Sequence, residues 1–184
     1  YLEKSVKTAD PEAREKMHNA STMAGMAFAN AFLGMSHSMA HKIGGVHHTI
    51  HGRTNAILLP YVIRYNGTRP SKTTTWPKYN YWKADEKFQD IARMLGLPCS
   101  TPEEAVEAYA KAVYDLGVAV GIKMNFKDQG IDEKVWNDSL HEIALLAYED
   151  QCSPANPRLP MVADMEEIMA DAYYGYAERP GRRK

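Results

Sequence analysis

Apolar residues recur at helical spacing along most of the chain, and no stretch alternates apolar and polar residues over the length of a strand. The pattern predicts an all-α helical bundle of about seven helices. Asp10-Pro11-Glu12 opens the first: Asp at the N-cap, Pro at the first helical position, an acid in the first turn. That helix is expected to run over residues 13–33. Ala20, Ala24, Gly25, Ala27, Ala29 and Ala31 alternate there with Met and Phe nearly all round the cylinder. A helix apolar on most faces is expected to be buried, its Met and Phe side chains filling core space.

Gly34 predicts a break or kink. A second helical piece covers residues 36–43, and Gly44-Gly45 is expected to end it. A loop over 46–50 then leads to His51-Gly52 and a buried helix, RTNAILLPYVIRYN, interrupted or kinked near Pro60. Residues 67–81 change to Thr, Lys, Pro and aromatics, a long loop that Trp76, Tyr79, Tyr81 and Trp82 would pin to the surface or to a partner. Residues 83–95 carry Phe88, Ile91, Ala92 and Leu95 on one helical face, with Gly96 at the end. Thr101-Pro102-Glu103-Glu104 reads as a capping box opening the next helix. Asp132 caps another, and a last helix ends at Gly175. One helical domain over 1–175, followed by a basic flexible tail over 176–184, is the domain reading.

Composition narrows the partners. Among 184 residues, 45% are apolar and 24% charged, with a net charge of -1, so no basic field favours nucleic acid. No apolar run approaches the roughly 20 residues of a membrane span. Cys99 and Cys152 form neither a metal nor a redox spacing, and a reducing cytoplasm is the expected location.

The chemistry concentrates in GMSHSMAHKIGGVHHTIHGRTNAILLP. Five of the seven histidines, His37, His41, His47, His48 and His51, lie within it. Histidine is the commonest metal ligand and titrates near neutrality. His37 and His41, four apart, share a helix face. By spacing alone they form a ligand pair, with His51 a third ligand if Gly44, Gly45 and Gly52 let the backbone double back.

That stretch resembles the signature of the iron-dependent (group III) alcohol dehydrogenases: a His, then HxMAHxxG, then HG-x-x-NA-x-LLP. DQCSPANPRLP (Asp150 to Pro160) and the closing DAYYG are similar, more narrowly, to the alcohol dehydrogenase half of bifunctional aldehyde–alcohol dehydrogenases. The resemblance implies an all-helical C-terminal metal-binding domain that works beside an N-terminal nucleotide-binding domain. It implies a divalent iron held by an Asp and three His. Of those ligands, His37 and His51 match the last two, and zinc remains possible. His41 matches the histidine beside nicotinamide and substrate that assists proton transfer, so the resemblance revises the ligand pair read from spacing. It implies NAD(H) bound mainly by the N-terminal domain, a primary alcohol or aldehyde as substrate, and a homo-oligomer, even a filament.

The chain departs from the family pattern in lacking the upstream D-x-x-x-H ligand pair: His18 is the sole earlier histidine, and Arg occupies position 14. The Gly-rich phosphate-binding segment is also absent. Ile50 stands where many relatives have Pro, and Thr54 where many have Ala. The expectation is a C-terminal piece of a longer enzyme, inactive by itself. Two other readings stay open: a helical assembly module without its own activity, and a zinc hydrolase using His37, His41 and His51, which has no evident general base nearby.

Overall fold

The computed structural model describes residues 1–70 and 82–175. Within them the chain forms eight α-helices, one 3-10 turn and no strand. The helices are α1 (Leu2–Thr8), α2 (Pro11–Ala31), α3 (Met35–His47), α4 (His51–Gly67), α5 (Ala84–Met94), α6 (Pro102–Ala119), α7 (Glu133–Tyr148) and α8 (Val162–Tyr174), with the 3-10 turn at Ser153–Ala155. The all-α reading holds. The helix it lacked is α1. The aromatic residues Trp76, Tyr79 and Tyr81 and the tail over 176–184 lie outside the described residues.

Local signals start the helices as expected. Asp10 Oδ1 accepts the Ala13 N–H at 2.9 Å, and Asp132 Oδ1 accepts the N–H groups of Lys134 and Val135. Each satisfies donors that a helix start leaves orphaned, worth about 1 kcal/mol. At Thr101 the box is half made. Its hydroxyl accepts from Glu104 N at 3.2 Å, but the Glu104 carboxylate takes the Ser100 N–H instead.

The central helix is α4, which packs against α3, α5, α6 and α8. One side joins the main core, where Ile57, Leu58 and Tyr61 meet Met35, Met39 and Ile43 of α3, Trp136 and Ile143 of α7, and Met165 and Met169 of α8. The other joins a smaller cluster through Ile63, with Val106 and Ala110 of α6. Burial on both sides explains why the α4 sequence reads as apolar nearly throughout. Pro60 lies buried within the helix, which continues to Gly67. At Gly67 a Cβ would come within 2.5 Å of Val106, so this glycine permits the α4–α6 approach.

Two expectations fail. Helix α2 is not buried: Ala13 is its sole buried residue, and Met23, Met26 and Phe28 are exposed. Its chief packing partner among the described helices is α1. An apolar surface records that a helix can be covered, and nothing described here covers this one. The break after it falls at Phe32, whose φ of 62° ends the helix. Second, Gly44-Gly45 does not end α3, which continues to His47. The loop is therefore His48 to Ile50, and His48 makes the turn with a left-handed φ of 54°. None of Gly44, Gly45 and Gly52 adopts a positive φ.

Candidate metal centre

The histidine cluster stands where α3 begins its run and α4 starts. Gly34 opens α3 with an extended backbone any residue could adopt. It is small for another reason: a Cβ would stand 2.8 Å from Asn156 Oδ1. That oxygen accepts the first amide of α3, Met35 N, at 3.2 Å. Asn156 also exchanges hydrogen bonds with Asn66 of α4 and donates to the Arg158 carbonyl. Ser153 Oγ adds bonds to Ser38 Oγ and the Ala147 carbonyl. The segment from Asp150 to Arg158 is thereby fastened across α3 and α4.

On this frame His37, His41 and His51 converge. Their ring centroids lie 5.4 Å apart for His37–His51, 5.3 Å for His41–His51 and 6.2 Å for His37–His41. Phe28 of α2 stands 6.3 Å from His37 on the outer side. Burial, reinforced by the neighbouring His51 and His41, holds the His37 pKa below its ordinary value. His37 is thus kept in the neutral, lone-pair-bearing form that ligates metals. His51 Nε2 lies 3.2 Å from Asn55 Nδ2, and Ser36 Oγ donates to Asn55 Oδ1 at 3.0 Å. The Asn55 amide can donate only to an unprotonated Nε2, so a metal at that nitrogen would take the place of this contact.

His41 has a different setting. Its Nδ1 lies 3.2 Å from Asp150 Oδ2, and Lys42 Nζ reaches the same oxygen at 3.0 Å. Asp150 Oδ1 accepts the Cys152 amide at 2.9 Å. Burial pushes the Asp150 pKa up, but the Cys152 amide, Lys42 and His41 outweigh it and hold the carboxyl at about 2. Burial, with the Asp150 charge adding, pushes the Cys152 thiol up to about 11.

Ligand atoms of His41, Asp150 and Cys152 all lie within 4.8 Å of one another. The donor set argues against a cation at this spot. The Lys42 ammonium already neutralises the carboxylate, and burial makes loss of the thiol proton costly. Sequence spacing could not have found this group, since Asp150 lies 109 residues beyond His41.

Two imidazoles, that of His37 held neutral by burial and that of His51 beside it, fit an iron ion as part of a donor set. The carboxylate that the structure places among the histidines, Asp150, is engaged by His41, Lys42 and the Cys152 amide. His47 and His48 stand apart from the cluster. His47 stacks on Trp136 at 5.2 Å, with Nε2 3.0 Å from Ser139 Oγ, and both residues border a separate cavity of about 330 Å³. Thr54 is fully buried and ties the connecting loop through Thr49 and the Ile50 carbonyl.

The described helices thus gather three imidazoles from two successive helices, one of them backed by a carboxylate. Residues 1–173 match the model of the Fe-containing alcohol dehydrogenase family, C-terminal part. The chain belongs to that family. It is 79% identical over 183 residues to an aldehyde-alcohol dehydrogenase of Streptococcus pneumoniae (strain D39), covering 100% of this chain and 21% of that protein. It is 39% identical over 169 residues to a bifunctional aldehyde-alcohol dehydrogenase of Escherichia coli K12, covering 90% and 19%. The solved structure of an alcohol dehydrogenase from Oenococcus oeni superposes with a TM-score of 0.78 at 32% identity, over 94% of this chain and 41% of that one. The chain therefore spans about a fifth of the length of its bifunctional relatives. Among the described residues, no helix is long and apolar enough to cross a membrane.

Proposed function

We propose that this chain is the metal-holding part of an enzyme that interconverts a primary alcohol and its aldehyde with NAD(H), as one half of a bifunctional aldehyde–alcohol dehydrogenase. The convergence of His37, His41 and His51 carries the reading. His37 and His51 would hold the metal, iron in keeping with the family and zinc as a competitor. When bound, the metal supplies Lewis acidity toward the substrate oxygen. His41 accepts the alcohol proton during oxidation and returns it during reduction. NAD(H) is bound mainly by a nucleotide-binding portion that this chain does not contain, so the chain alone is expected to be inactive.

The test is a chimera in which this chain replaces the corresponding segment of the Streptococcus pneumoniae relative. It should carry stoichiometric metal and reduce NAD with a primary alcohol. His51→Ala should lose the metal and the activity together. A chimera that keeps its metal in the His51→Ala variant, or an isolated chain with NAD-dependent turnover, would overturn the assignment.

A further inference from the structure

Asp150 lies in the loop after α7, far in sequence from the histidines, yet its carboxylate reaches the ring of His41. Its side chain is 7% exposed and that of His41 35%, so this contact sits at the edge of the site and not out in solvent. The two carboxylate oxygens are differently engaged. Oδ1 is tied to the Cys152 amide, while Oδ2 faces His41 Nδ1 and Lys42. An ionised carboxylate can only accept, so the neutral imidazole facing Oδ2 must carry its proton on Nδ1.

We propose that Asp150 is the positioning residue of His41, holding the ring as the Nδ1–H tautomer so that Nε2 presents its lone pair for proton transfer. In alcohol oxidation the substrate O–H proton passes to Nε2 and the ring becomes imidazolium, while the Nδ1–H stays hydrogen-bonded to Asp150. In aldehyde reduction the Nε2 proton returns to the substrate oxygen, and the ring is neutral again. The contacts with the other two histidines locate the ring plane, stacked on His51 and edge-on to His37. Rings alone do not choose a tautomer; a carboxylate on one nitrogen does. Lys42 serves Asp150, not His41, and keeps the carboxylate ionised at the low-dielectric edge of the core.

The catalytic consequence rests on the dehydrogenase reading, whereas the tautomer does not. The first measurement is therefore two-bond proton–nitrogen correlation on the 184-residue chain with nitrogen-15 histidine, at mildly alkaline pH where imidazoles are neutral. His41→Gln assigns the signal. His41 should be Nδ1–H in the unsubstituted chain and in Lys42→Met. In Asp150→Asn the Cys152 amide should keep Oδ1, so the new amide group faces His41 as a donor and the tautomer should flip to Nε2–H. An Nε2–H tautomer in the unsubstituted chain, or an unchanged tautomer in a folded Asp150→Asn, refutes the proposal. If Asp150→Asn does not fold, the other two spectra still decide it. In the chimera described above, Asp150→Asn should lower kcat by about 10²-fold or more and leave KM for the alcohol nearly unchanged. A normal kcat beside a flipped tautomer would refute the positioning role. An inactive parent chimera would count against the dehydrogenase reading instead.

Discussion

Asn156→Ala is the substitution whose cost can be worked most directly from the contacts. The side chain is 1% exposed and makes four hydrogen bonds, to Met35 N, to both ends of the Asn66 amide and to the Arg158 carbonyl. At about 1 kcal/mol net for each bond, their loss amounts to about 4 kcal/mol. A water entering the space left behind recovers roughly one of these bonds, leaving about 3 kcal/mol. That is a large share of the roughly 5–15 kcal/mol by which a domain is stable. Urea unfolding followed by far-UV circular dichroism should show the midpoint falling with an unchanged slope. Asn156→Asp is a sharper version. Its carboxylate still accepts from Met35 N, but it sets an acceptor against Asn66 Oδ1 and the Arg158 carbonyl and buries a charge. It should cost at least as much as the alanine. A loss below about 1 kcal/mol for either variant would mean that this cross-tie is not what fastens the loop to α3 and α4.

Two further outcomes follow from the same geometry. Gly34→Ala drives a Cβ against Asn156 Oδ1 and should cost about 1–3 kcal/mol of stability, an effect that shrinks in the Asn156→Ala background; a strictly additive pair would refute the clash. Asp150 has a folded pKa of about 2, below its ordinary 3.8, so the unfolded chain binds the proton more readily. Its stabilising contribution is therefore complete above the unfolded value and is lost as pH falls from about 4 toward 2. Unfolding midpoints across that window should flatten in Asp150→Asn, and an unchanged pH slope would contradict the assigned network.

Where local chemistry decides, the sequence was legible. Asp10 and Asp132 cap the helices they were expected to cap, because an N-cap bond spans only two or three residues. His51, expected to lead directly into the helix that follows it, is the first residue of α4. Two local readings went astray through competition between signals. Gly44-Gly45 looks like a helix end, but glycine only permits a left-handed turn, and the α3 packing carries the helix on to His47. The apolar α2 looks like core, but periodicity reports which face can be covered and says nothing of what covers it.

By itself, then, the sequence determined the helical class, most helix starts, the family and the stretch that holds the three converging histidines, because each of these is written in residues close together along the chain. Only the tertiary structure decided which groups serve those histidines. Asn55 faces His51 one turn along α4, but Ser36 reaches that Asn55 amide because α3 and α4 cross there. Asp150 and Cys152 reach His41 from more than a hundred residues away because Asn156 and Ser153 fasten their loop to the same two helices. Contacts closed by a folded loop leave no spacing in the sequence; their distance is set by packing, and packing is a property of the whole chain.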